Sequence, residues 1–285
     1  MDCCKAIGAR AARNKKTVNQ LKGLLHVRRK IPFMVAIPTT AGTGSEVTVA
    51  SVIVDKENND KYAINDPVLI PKVAVFDPTL LVGLPKHISS TTGMDALTHA
   101  VEAYIGHSNT HKSKKSAIEA VKLLFNNLYN SVENPTNLEF RENMQLASYK
   151  AGVAFTIGYV GSVHAIAHSL GGKYNVPHGL ANAIILPIVL KAYGQKADRK
   201  LAKLATYIGI KGSNKHELAL SFIQEIENLN SKMGIKNTFG SLIKDEDIPF
   251  LVDHAYKESV PLYPTPRILS KVELTVIYKI LQEER

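Results

Sequence analysis

Proline limits where a helix can run more sharply than any other residue, because its ring fixes φ and removes a backbone donor. Of the 13 prolines in this 285-residue chain, only Pro135, Pro177 and Pro187 fall between residues 86 and 248. Long helices are permitted almost throughout that stretch. Ile118, Val121, Leu124, Phe125, Leu128 and Val132 recur at threes and fours, as one face of an amphipathic helix does. Similar patterns cover residues 183–193, 201–208, 218–229 and 272–281. Residues 86–285 are therefore expected to form an all-helical domain.

Residues 1–85 have a different texture. The run FMVAI (33–37) is apolar without a break and is closed by Pro38, the pattern of a buried strand. VTVASVIV (47–54) is rich in β-branched residues, and KVAVF (72–76) is a further short strand ending at Asp77-Pro78. Asp66 and Asp77 both precede prolines and read as turn formers. Residues 2–13 open the chain as a helix with Ala6, Ile7 and Ala11 on one side, and Cys3 and Cys4 read there as small buried side chains. A helix leading into a buried strand is an α/β unit without its first strand. The expected architecture is an incomplete α/β part with a mostly parallel sheet (1–85), followed by the all-α domain (86–285).

Several function classes are excluded by composition. The balance of 35 basic and 25 acidic residues gives +10, but the basic residues sit in separate lysine-rich groups at 15–16, 28–30, 112–115 and 199–203. No aromatic residues interleave with them, so solvated faces are expected rather than a nucleic-acid surface. The two cysteines, Cys3 and Cys4, are adjacent, which leaves neither a disulfide framework nor a thiolate zinc site. With no apolar run of membrane-spanning length and no signal peptide, a reducing cytoplasmic setting without membrane attachment is expected.

The residues that carry chemistry gather in the helical half. Asp95 and His99 are four apart, which puts both on one helix face at neighbouring turns. His164 and His168 share that spacing, and His178 sits between Pro177 and Gly179, projecting from a turn. One carboxylate (Asp95) and three imidazoles (His99, His164, His178) suit a borderline divalent metal such as Fe(II) or Zn(II) rather than Ca(II) or Mg(II). In the first half, PTTAGTGSE (38–46) follows the strand at 33–37. Ligands of open α/β sheets bind at the carboxyl ends of strands, where glycines allow close approach and hydroxyls meet phosphate or ribose oxygens. The same segment could equally be a plain connection between strands.

Taken together, PTTAGTGSEVT (38–48), DPTLLVGLP (77–85), TGMDALTHAVEAY (92–104), VHAIAHSLGGKYNVPHGLANAIILP (163–187) and PTPR (264–267) resemble the iron-containing (group III) alcohol dehydrogenases. The likeness implies a dinucleotide-binding α/β domain facing an all-helical metal domain, with the active site between them. By that resemblance Asp95, His99, His164 and His178 are the metal ligands, and His168 is a cleft histidine that handles substrate or protons. Thr39, Thr40 and Thr43 match cofactor-contacting threonines, Lys61 resembles a lysine at the cofactor's ribose, and Asp2 matches the aspartate closing a GGGSxxD phosphate motif. The implied reaction interconverts a primary alcohol and its aldehyde by hydride transfer to or from NAD(H) or NADP(H), with homodimers common among relatives. Glu102 and Tyr104 read as packing or surface residues, and His26, His87, His107, His111, His216 and His254 carry no assigned chemistry.

The chain departs from the resemblance at its start, where no GGGS precedes Asp2. A reading frame shortened at its N-terminus is expected, with weakened diphosphate binding. Two other readings stand beside the dehydrogenase. One is a lyase of the dehydroquinate synthase type, whose metal set resembles one glutamate and two histidines. The other is a metal-binding remnant without cofactor.

Overall fold

The structure is a computed structural model and describes residues 1–55 and 60–283. The chain opens on helix α1 (Asp2–Ala12), followed by strands β1 (Gly23–Leu24), β2 (Val35–Ala36), β3 (Ala50–Asp55), β4 (Asp60–Asn65) and β5 (Val73–Ala74). Helices then follow without interruption by strands: α2 (Lys86–Ile105), α3 (His111–Glu133), α4 (Leu138–Gly158), α5 (Ser162–Tyr174), α6 (His178–Tyr193), α7 (Gln195–Tyr207), α8 (Lys215–Lys232), α9 (Ile248–Ser259) and α10 (Lys271–Gln282). The change of texture at Pro85 is thus the change from strands to helices. No single helix among the described residues is long and apolar enough to cross a membrane.

Two small sheets occupy the first part. β1 pairs in parallel with β4, which pairs antiparallel with β3; β2 pairs in parallel with β5, with Val35 opposite Val73. Asp66 and Asp77 each cap a 3-10 turn, accepting from the N–H of Val68 at 3.2 Å and of Thr79 at 3.0 Å, as their place before proline suggested. Ala9, Leu21, Val27, Ile31, Tyr62, Ile64 and Leu69 form one small core here. A second, much larger core is built by the helices and also takes in Ala41 and Leu81 from the first part.

Three expectations about the first part are corrected. The run at 33–37 is not buried: Phe33, Val35 and Ile37 are 73%, 47% and 52% exposed. Among the described residues β2 has one neighbour, β5, so alternate side chains of that pair face outward. On α1 the buried face consists of Lys5, Ala6, Gly8 and Ala9, while Ile7 and Ala11 face solvent. Cys3 and Cys4 are both exposed rather than small core residues. The reason is Lys5, which turns inward and donates to Thr48 O (2.8 Å), Thr48 Oγ1 (3.0 Å) and Ala50 O (3.0 Å), so the helix is rotated to bury it.

Candidate metal centre

Helix α2 is buried almost all round from Gly93 onward, so its polar residues must find partners inside the protein. Asp95, His99 and Glu102 stand at i, i+4 and i+7, one stripe of that helix. α5 presents His164 and His168 one turn apart. It ends at Asn175 in a left-handed conformation, and Val176-Pro177 then leads directly into α6, of which His178 is the first residue. Gly179 lets this helix start lie against α2: a Cβ there would stand 2.5 Å from the Thr91 carbonyl oxygen. Only a residue without one brings His178 to Asp95.

The three helices converge so that one donor atom each from Asp95, His99, His164 and His178 lies within 4.8 Å of the others. His178 Nε2 is 3.5 Å from Asp95 Oδ1, and His99 Nδ1 is 4.0 Å from Asp95 Oδ2. The His99 ring lies between Phe155 (4.1 Å, 15°) and His164 (4.6 Å, 27°). Burial pushes the pKa of His99 down against the opposing pull of Asp95 and the Gly42 backbone, and it pushes His164 well below the ordinary imidazole value. Both rings are therefore held neutral, the form in which imidazole offers a lone pair.

Two residues that sequence reasoning passed over complete the cluster. Glu102, read as a packing or surface residue, is buried at the N-terminus of α5. It accepts from the N–H groups of Gly161 (2.9 Å) and Val163 (2.8 Å) and meets His164 Nδ1 at 2.6 Å. Burial pushes Glu102 up to about 8, while those N–H donors pull the other way. The N–H donors favour the ionised carboxyl, and a Glu102 carboxylate accepting Nδ1–H leaves His164 with Nε2 as its lone-pair atom, the arrangement by which outer carboxylates orient ligating histidines. The one sequence signal that could have found Glu102 is its helical register, seven residues after Asp95. Asn182, one turn after His178, donates from Nδ2 to Asp95 Oδ1 at 2.6 Å, with Nε2 of His164 and of His178 each 3.2 Å away. One amide carries two hydrogens and cannot satisfy three such acceptors. His99 Nδ1, also buried, has no hydrogen-bond partner. Lone pairs thus outnumber donors, and a carboxylate with three neutral imidazoles fits a borderline divalent cation.

The remaining candidates surround this cluster. His168 stacks on His178 at 5.2 Å and contacts Glu258 Oε1 through Nδ1 at 2.6 Å. Thr39, Thr40 and Thr43 sit on the loop after β2, with Thr39 and Thr43 exposed and Thr40 half-buried. That loop is pressed against the helices: Gly44 (φ +58°) meets Gly152 of α4 backbone to backbone, and Gly42 meets Thr92 of α2. Gln145 of α4 donates to the carbonyls of Asp77 (3.1 Å) and Pro38 (3.4 Å), gripping the carboxyl ends of β5 and β2 together. Asp2 reaches the same loop, its Oδ1 accepting from Ser45 Oγ at 3.1 Å. Lys61 belongs to β4, and its side chain lies outside the described residues.

Comparison with known proteins agrees with this construction. Residues 89–281 match the family described as Fe-containing alcohol dehydrogenase family, C-terminal, and residues 1–78 match Iron-containing alcohol dehydrogenase. The 1,3-propanediol dehydrogenase of Klebsiella pneumoniae is 37% identical over 281 residues, covering 98% of this chain and 72% of the relative. The NAD-dependent methanol dehydrogenase of Bacillus methanolicus is 37% identical over 281 residues, with 98% and 73% covered. A crystal structure of 1,3-propanediol oxidoreductase superposes with a TM-score of 0.93 at 36% identity, covering 98% of this chain and 73% of that one. The chain belongs to the iron-containing alcohol dehydrogenase family.

Proposed function

We propose that this protein interconverts a primary alcohol and its aldehyde with NAD(H) or NADP(H), using a divalent metal, Fe(II) or Zn(II), held by Asp95, His99, His164 and His178. The observation that carries the reading is the convergence of those four donors within 4.8 Å, beside a hydroxyl-rich loop at the end of β2. On this reading residues 1–85 serve the cofactor and residues 86–285 serve the metal, with the threonine loop pressed against α2 and α4. When bound, the cation supplies Lewis acidity that makes an alcohol hydroxyl more acidic, and the nicotinamide supplies the hydride acceptor.

The chain's own residues do the rest. Buried, neutral His99 and His164 present lone pairs near neutral pH without losing a proton first. Glu102 fixes the ring of His164, and Asn182 holds the Asp95 carboxylate. Phe155, flat against His99, keeps water from that side of the cluster. Hydroxyls of Thr39, Thr40 and Thr43 supply hydrogen bonds to cofactor oxygens, with Asp2 bracing the loop through Ser45. His168, beside His178 but not in the donor set, takes the hydroxyl proton and returns it in the reverse direction.

The test is loss of 340 nm absorbance when NADH or NADPH and a short aldehyde are added after anaerobic Fe(II) loading. Steady oxidation supports the dehydrogenase. Bound metal without turnover would favour the remnant reading instead.

A further inference from the structure

His168 can serve as proton acceptor only through a nitrogen that carries no proton of its own. Which nitrogen is free is decided by the bond made at the other. Its Nδ1 lies 2.6 Å from Oε1 of Glu258, on the last turn of α9. The Tyr263 hydroxyl donates to the same oxygen, also at 2.6 Å. Burial and the adjacent Glu258 push the Tyr263 pKa well above its ordinary value, so the phenol remains a donor. Burial pushes Glu258 upward, but His168 and Tyr263 together bring its pKa below the ordinary carboxylate value. The side chain also borders a cavity of about 370 Å³ lined by Phe250, Asp253, His254 and Lys257, which gives the carboxylate solvent on one side. An ionised carboxylate is acceptor-only, so the short contact requires the proton on Nδ1.

We propose that Glu258, braced by Tyr263, is a positioning residue that locks His168 in the tautomer with hydrogen on Nδ1, leaving the Nε2 lone pair to accept the alcohol proton. This rests on the reading that His168 handles that proton. In the forward direction the O–H proton passes to Nε2 while the carbon-bound hydrogen leaves as hydride to the oxidised nicotinamide. In reverse, both return. Fixing the tautomer costs nothing at the moment of reaction, because the bond to Glu258 is present beforehand. A purely structural role, tying α5 to α9, would use the same bond, but its loss would leave kcat unchanged.

The two roles separate in side-chain ¹⁵N NMR of the protein with Zn(II) added, set beside steady-state kinetics and metal content. Wild type should show His168 with hydrogen on Nδ1. Glu258→Met should shift the ring toward the Nε2–H form and lower kcat about 100-fold, the scale of one acid–base group, with KM and bound metal unchanged. Glu258→Gln keeps an acceptor oxygen, so it should retain the tautomer and lose less rate; Glu258→Asp should recover part of the activity. A wild-type ring found as Nε2–H, or a ring indifferent to Glu258→Met, overturns the proposal. So does a tautomer shift that leaves kcat intact. Absence of dehydrogenase activity in wild type would count against the reaction, and the ¹⁵N spectrum would still decide the tautomer.

Discussion

In the proposed metal site Glu102 acts on a ligand without being one of the four converging residues. It satisfies N–H groups at the start of α5 and at the same time holds the ring of His164, so one side chain serves the helix and the site. Glu102→Gln should weaken metal binding by about 10- to 100-fold, as loss of such outer carboxylates typically does. Metal titration with the helix content followed by circular dichroism checks this; unchanged affinity would mean His164 is oriented by packing alone. Lys5 gives a second residue-scale prediction. Its burial lowers the amine to about 8 from 10.5. Between those values the unfolded chain binds the proton and the folded chain does not, so stability rises with pH across that window. Relative to Lys5→Met, wild type should gain about 3 kcal/mol from pH 8 to 10.5, measured by urea unfolding at a series of pH values.

At the scale of elements, α6 contains Pro187, which leaves the carbonyl of Ala183 without its usual donor one turn on. Asn230 of α8 supplies it, donating to Ala183 O at 2.7 Å from a buried position. Asn230→Ala should therefore cost about 1–3 kcal/mol, the penalty of an unsatisfied buried acceptor. In a Pro187→Ala background the helix regains its own N–H, and the same substitution should cost clearly less. Equal costs in both backgrounds, by denaturant unfolding, would show that the two residues do not compensate each other. The long helices were legible because their apolar residues repeat every three or four positions over many turns. Strand burial was not: FMVAI reads as buried on both faces, yet its exposure depends on which neighbours the strand has.

Across the whole molecule, the β2 loop and the helical part meet at a close backbone approach as well as through the Gln145 side chain. Gly44 and Gly152 approach so closely that a Cβ on Gly152 would stand 2.6 Å from Val47 Cγ2 and 3.0 Å from Gly44 Cα. Gly152→Ala should push the threonine loop away from α4 and raise the KM for NAD(H) or NADP(H) several-fold while bound metal stays constant. Parallel changes in cofactor KM and metal content would indicate general damage instead.

Local chemistry alone set much of what this protein is. Proline spacing marked the change from strands to helices. The i, i+4 pair Asp95/His99, with His164 on the next ligand helix and His178 after Pro177, marked the four residues that converge, because helical periodicity ties residues four apart to one face whatever surrounds them. Tertiary structure decided what periodicity cannot carry. It decided that three helices meet at one point, that Glu102 and Asn182 turn inward to serve that point, and that Glu258 from α9 reaches His168 across 90 residues of chain. It also decided that Lys5 rather than Ile7 faces the sheet. Those outcomes depend on which side chains from distant segments can satisfy a buried polar group, and that is settled only when the segments pack.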